Sequence, residues 1–317
     1  MFDLDGLADA TRIVRDHLPP TPQYAWPQLG DAVGAEVWVK HENHTRTGAF
    51  KIRGGLVLQE TLRRQGNDSP IVTATIGNHG QSIALSSRLA GRAATLVVPE
   101  GNDPDQVAAM RGFGAEVLVH GTDFQAAREH AEKLAAERGA LVVPPFHPEL
   151  ARGVATYAME LFDAAGALDA VYVPIGMGSG ICGLITVRDL LGLRTEIVGV
   201  VADGAPAYAL SFAAGRVVAT PSVDTFADGV ATRSPDPAAL DVILAGAADV
   251  VRVTDDEIAA ALRLLYRATH NVAEGAGAVA LAGLLARRER HRGGRVAVIQ
   301  TGCNVTADRL VRLLAES

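Results

Sequence analysis

Short apolar runs alternate with longer, mixed segments along most of the chain, and that rhythm predicts its architecture. The start, up to about Trp26, reads as a helix followed by a proline-rich crossing, HLPPTPQYAWP. Glu36–Lys40 alternates as a half-buried strand should. Apolar strands are then expected at Ile71–Ala74, Ala94–Val98, Glu116–Val119 and Leu141–Val143. Helices are expected between them, from about Gln81, near Pro104–Arg111, and after Thr122, where Gln125 completes a capping box. A second run opens with a helix around Val154–Phe162. It continues through strands at Ala170–Pro174, Glu196–Val201, Val250–Val253 and Arg295–Ile299, and closes on a C-terminal helix. Thr254-Asp-Asp-Glu257 marks a further helix start. Apolar strands alternating with helices call for parallel sheets covered on both faces. Two such runs imply an α/β protein with two open, mostly parallel sheets and a ligand crevice near the strand carboxyl ends. There is no internal repeat.

Composition narrows the class. A chain of 317 residues is long enough for about two domains. It is 48% hydrophobic and 21% charged, as a globular enzyme is, and its net charge of -7 argues against nucleic acid or an anionic membrane as partner. The acidic start MFDLDGLADATRIV has no signal-peptide pattern. The uncharged run Ala170–Val187 is long enough to span a bilayer, but Pro174 and repeated glycines make it a strand, a loop and a helix start. Two distant cysteines, Cys182 and Cys303, point to a reducing cytoplasm without a disulfide.

Four small-residue loops fall at strand-to-helix turns or helix starts. The first, TRTGAFKIRGG, places Lys51 just before a helix; partial burial there turns an amine into a nucleophile, whereas most lysines are solvated charge. The second, TIGNHGQS, offers backbone amides to a carboxylate, with Thr75, Ile76, Gly77, Asn78 and His79 as candidate substrate contacts. His79 reads as a satisfied structural histidine and not as a catalytic base. The third, PIGMGSGICG, lets backbone N–H groups approach an anion, with Ser179 adding a hydroxyl. It also mimics a dinucleotide fingerprint, leaving open a NAD(P)-dependent oxidoreductase with Asp203 on the ribose, although Asp203 lies beyond the usual ~20 residues. The fourth, QTGCNVT, presents Thr301 at a sheet edge, where a plain helix N-cap is the simpler reading.

Taken together, in this order and spacing, these loops closely resemble the fold-type II pyridoxal-phosphate (PLP) enzymes, and within them the serine/threonine dehydratases and serine racemases. The resemblance spans nearly the whole chain. It implies a fold like that of the tryptophan synthase β-subunit, with residues 1–47 and 148–317 as the large domain and 48–147 as a small domain over the active site. It makes Lys51 the Schiff-base lysine and stacks Phe50 on the cofactor ring. Asn78 then faces the ring oxygen, and Gly176, Gly178, Ser179 and Gly180 hold the phosphate. Thr301 stands where the family usually has the serine that faces the pyridine nitrogen. Gly229, in TFADGVA, covers the other side of the ring, and Glu274 lies near the cofactor. A hydroxyl opposite the pyridine nitrogen need not keep it protonated, so prompt loss of a β-leaving group is favoured over a long-lived carbanion.

Several positions depart from the family. Ile76 replaces the serine of the racemases, so racemisation should be weak or absent, and it can reshape the substrate pocket. Met177 and Ser179 replace glycines, Cys303 replaces a small residue and reads as a buried hydrophobe, and Arg152 lies in a stretch that usually carries glutamine. Val201 and Ala207 stand where metal-activated relatives have acids, so no metal is expected there, and no regulatory domain is expected after the last helix.

The resulting expectation is a cytoplasmic, homodimeric PLP-dependent lyase. It should convert a β-hydroxy-α-amino acid, L-threonine or L-serine by default, to a 2-oxo acid and ammonia, with Lys51 as general base. A bulkier or acidic β-substituent, as in phenylserine or hydroxyaspartate, is the alternative. A β-replacement synthase, the NAD(P) oxidoreductase and a non-catalytic PLP carrier are the rivals.

Overall fold

The computed structural model describes residues 1–315. Its strands are β1 (Gln23–Ala25), β2 (Glu36–His41), β3 (Ile71–Ala74), β4 (Ala94–Val98), β5 (Glu116–Val119), β6 (Leu141–Val142), β7 (Ala170–Pro174), β8 (Glu196–Ala202), β9 (Asp249–Val253) and β10 (Arg295–Gln300). They form a six-stranded sheet ordered β1-β2-β10-β7-β8-β9 and a four-stranded sheet ordered β5-β4-β3-β6. Every pairing is parallel except β1 with β2. The α/β expectation of two open, mostly parallel sheets therefore holds. β3, β4 and β7 are buried at every position, the pattern of strands covered on both faces. Among the described residues, no helix is long and apolar enough to cross a membrane.

The differences from expectation are local. The helix expected from Gln81 starts at Asn78. The cap expected at Thr122 is Asp123, whose carboxylate accepts from the Ala126 N–H at 2.8 Å; a charged acceptor one residue on serves the same orphan donors better. The segment read as one helix around Val154–Phe162 is two, Pro148–Val154 and Thr156–Ala165, meeting at Ala155. Helix Gly275–Ala286, GAGAVALAGLLA, escaped notice because it is almost entirely buried and has no polar face to set a period. The Thr254–Glu257 capping box is formed as read.

What positions the candidate site is the helix Ile52–Arg64, which begins one residue after Lys51. Its first turn lies backbone to backbone against helix Pro148–Val154. A Cβ on Gly54 would stand 2.6 Å from the Leu150 carbonyl oxygen, and one on Gly153 would strike the Arg53 carbonyl. On its other side, a Cβ on Gly55 would meet the hydroxyls of Ser82 and Ser86 at 2.6 and 2.7 Å. The two glycines of RGG thus let two helices clamp the lysine's helix from both flanks.

Between the glycines and Lys51, Arg53 is fully buried. Its guanidinium forks onto Glu42 at 2.7 and 2.9 Å and onto Glu160 at 2.9 and 2.8 Å, and donates to the Thr156 hydroxyl at 3.0 Å. Lys40 reaches the same Glu160 at 2.6 Å and the Thr21 carbonyl at 3.0 Å. Two buried cations thus balance two buried carboxylates, with the part-exposed Arg15 3.3 Å from Glu160. Burial alone would raise the Glu160 carboxyl, but Arg53 and then Lys40 hold it below its ordinary value. Removing one partner of such a cluster strands the others, so Arg53→Met is expected to lower unfolding stability by about 3–5 kcal/mol. Urea unfolding measures it, and an unchanged midpoint would refute the lock.

Candidate active site

Three segments are stitched into one cleft by backbone bonds. Phe50 N–H donates to the Thr301 carbonyl at 3.0 Å and Cys303 N–H to the Gly48 carbonyl at 2.9 Å, around an antiparallel bridge between Ala49 and Gly302. Glu274 N–H donates to the Gly302 carbonyl at 3.1 Å. The loop after β10 therefore carries both the lysine segment and the start of helix Gly275–Ala286. Gly302 permits the approach: a Cβ there would collide with Glu274 Oε1.

The cleft holds a pocket. Lys51, Phe50, Asn78, Gly176, Gly178, Ser179, Gly180, Gly229, Glu274 and Thr301 all line it, joined by Pro174, Met177, Val230 and Ala276. Residues as far apart in sequence as Phe50 and Thr301 thus meet around one cavity. Lys51 Nζ lies 4.8 Å from the centre of the Phe50 ring, which rests edge-on against Tyr157. Tyr157 in turn donates to the Gly180 carbonyl at 2.9 Å, tying the aromatic pair to the glycine loop.

That loop ends in an anion cradle. Gly178 has φ +102°, a left-handed conformation suited to glycine, and a Cβ on Gly176 would strike the Gly229 carbonyl. Helix Ser179–Leu190 starts here without a side-chain cap, and its first backbone acceptor is used by Cys182 N–H, donating to Gly178 at 3.0 Å. The amides of Ser179, Gly180 and Ile181 precede that first bond and sit at the positive end of the helix dipole. A phosphate is the anion such a cradle suits.

Electrostatics single out two groups. Desolvation lowers the Lys51 amine below its ordinary value, while the charge of Glu274 opposes the fall. Desolvation pushes Glu274 up to about 7, against the Asn78 hydrogen bond and the Lys51 charge. Asn78 Nδ2 donates to Glu274 Oε1 at 2.7 Å. Thr301 Oγ1 has only a long contact, 3.4 Å to the Ala276 carbonyl.

The TIGNH loop divides. Asn78 lines the pocket; Thr75, Ile76, Gly77 and His79 do not. Thr75 Oγ1 is turned inward, accepting from Gly77 and Gly80 N–H at 3.2 and 2.9 Å. Ile76 is exposed. His79 is buried with Nε2 3.2 Å from Thr73 Oγ1, and desolvation lowers it to about 4, as suits a structural histidine. Asp203, the residue a dinucleotide would need, is half-exposed and paired with Arg252 at 2.6 Å. Asp228 pairs with Arg309 at 3.0 Å on the surface, leaving Gly229 to face the pocket. Cys303 is half-buried, and desolvation raises its thiol to about 11, consistent with an inert packing role. Arg152 is spent on Asp9, Thr61 and Glu149. The residue that sequence reasoning passed over is Asn304, which bonds both Asn78 and the Thr47 carbonyl; its only signal was its place in the TGCNV loop.

Comparison with known proteins agrees with this geometry. The chain is 36% identical to the L-threonine ammonia-lyase of Geobacter sulfurreducens over 87% of its own length and 69% of the relative's. It is 31% identical to the L-threo-3-hydroxyaspartate ammonia-lyase of Saccharomyces cerevisiae over 97% and 94%. The processed form of threonine deaminase isoform 2 from Solanum lycopersicum superposes with a TM-score of 0.91 at 30% identity, over 99% of this chain and 89% of that one. The model of the family described as "Pyridoxal-phosphate dependent enzyme" matches residues 14–302, and the chain belongs to that family.

Proposed function

We propose that the chain is an ammonia-lyase that eliminates water from a β-hydroxy-α-amino acid, L-threonine or L-serine, and releases a 2-oxo acid and ammonia. The observation that carries this reading is the meeting of a desolvated lysine and an uncapped helix N-terminus in one pocket. The names of the two relatives point to the same reaction class.

The pocket's donors fit pyridoxal phosphate, which when bound supplies an electron sink for negative charge at the substrate's Cα. Ser179 and the Gly176–Gly180 backbone would hold its phosphate, Phe50 and Gly229 would lie against its ring, and Thr301 would offer a hydroxyl to its nitrogen. Lys51 is the residue that would bond its aldehyde. The substrate carboxylate docks at the start of helix Asn78–Leu89. There Gly80 N–H is taken by Thr75 and Gln81 N–H by Gly77, which leaves the earlier amides of Asn78 and His79 for an anion. Lys51 then takes the Cα proton; desolvation keeps more of its amine neutral and able to accept it. Ile76 has no acidic proton to deliver to the opposite face, which supports elimination over racemisation.

Lys51 is the only cation among the described residues that line the pocket, and Glu274 stands opposite. This favours a neutral β-substituent. The full-length match to the hydroxyaspartate enzyme supports the second reading, a substrate with a β-carboxylate. We further propose that the two sheets mark two domains, residues 1–47 with 148–317 and residues 48–147, and that the enzyme works as a cytoplasmic homodimer; its free cysteines suit a reducing compartment.

Borohydride reduction followed by peptide mass spectrometry is expected to place the pyridoxyl label on Lys51. Lys51→Ala should lose the label and at least ~10³-fold in kcat; a label elsewhere would overturn the assignment. Across L-threonine, L-serine, phenylserine and threo-3-hydroxyaspartate, 2-oxo acid release is expected to be greatest for the first two. Preference for hydroxyaspartate would establish the second reading, and release from none would remove the lyase.

A further inference from the structure

A line of side-chain amides crosses the cleft beside the pocket, and its direction is dictated by one backbone carbonyl. Asn304, in the loop after β10, donates through Nδ2 to the Thr47 carbonyl at 2.7 Å and to Asn78 Oδ1 at 2.6 Å. A backbone carbonyl can only accept, so the group facing it must be the NH₂ of Asn304. With one hydrogen committed there, the other must meet an acceptor, and Asn78 turns its oxygen toward it. The nitrogen of Asn78 is thereby aimed at Glu274 Oε1, 2.7 Å away. Gln106, on the helix Pro104–Gly112, holds the Asn304 backbone carbonyl at 3.3 Å and steadies the loop.

We propose that Asn304 is a positioning residue, which locks the orientation of the Asn78 amide and so makes a hydrogen-bond donor, in place of an acceptor, face the Glu274 carboxyl. The consequence follows from charge. An N–H directed at a carboxylate favours its ionised form, whereas a carbonyl oxygen in its place favours the protonated form. The other charges acting on Glu274 are Lys51 in the pocket, which favours the anion, and, through space from the surface, Asp228, which disfavours it; the Cys303 thiol feels the Glu274 charge in turn. Because the Asn78 bond is the strongest influence opposing desolvation, Asn304 governs at which pH this carboxyl becomes charged next to the lysine. The proposal rests on the elimination reading only in so far as turnover is one of its readouts.

The test is a carboxyl titration of holoenzyme carrying ¹³C-labelled glutamate, with Glu274→Gln identifying the resonance. Asn304→Leu keeps the bulk and removes both donors; Asn304→Ala removes the bulk as well. Either frees Asn78 to turn its oxygen toward the protonated carboxyl, and is expected to raise the pH at which Glu274 titrates by about one unit, the worth of one neutral hydrogen bond. The acidic limb of kcat should move in the same direction, with KM little changed. In an Asn78→Ala background, Asn304→Leu should produce no further shift in the titration, because its effect passes through Asn78. Should Asn304→Leu not fold, Asn304→Ala carries the test. An unchanged or lowered titration, or a full shift in the Asn78→Ala background, would overturn the proposal. Failure of the parent enzyme to release any 2-oxo acid would remove the elimination reading and leave the titration to decide the role of Asn304.

Discussion

The buried ion cluster around Arg53 is the constraint on which the site depends. Four charges with almost no access to water are tolerable only if each carboxylate oxygen finds a donor, and the guanidinium's planar fork supplies four of them. Glu42 follows β2 and Glu160 lies on a helix leading to β7, so both belong to the six-stranded sheet and its cover. Arg53 lies two residues beyond Lys51. Satisfying the acids therefore fixes the backbone that carries the lysine, and Gly54 and Gly55 let the flanking helices close on it.

The pocket is built from helix starts. Away from it, six helices are capped by Asp3, Asp103, Asp123, His147, Asp236 and Thr254, each accepting from its own backbone, while those after Trp26, Ala155 and Pro206 have no capping side chain. The helices that open on the pocket begin at Lys51, Gly77, Gly178 and Glu274, and no N-cap side chain serves their first turns. Their positive ends are kept for an incoming anion. The same pocket holds Lys51 and Glu274 in a poorly solvated space, where each moderates the other's loss of charge.

Glu274 shows why a family resemblance needs coordinates to become chemistry. Its position in AEGAGA marks it as near the site, but not what determines its charge. That depends on which end of Asn78 faces it, and hence on a carbonyl at Thr47 and an amide at Asn304, separated by 257 positions of sequence.

The strands were legible because apolar runs in a two-faced parallel sheet depend only on local composition, and most boundaries agree within a residue or two. Lys51, the glycine loop and Thr301 were picked out by the order and spacing of four loop motifs together, since each alone also read as a solvated lysine, a dinucleotide loop or a plain N-cap. Gly275–Ala286 and the three-residue shift at Asn78 were not, since burial on all sides erases periodicity. Nor were the inward turn of the Thr75 hydroxyl, the Arg53 cluster or the amide line through Asn304. The first is a local choice of rotamer; the other two are hydrogen-bonding partnerships between distant segments, and only the packed chain decides which donor meets which acceptor.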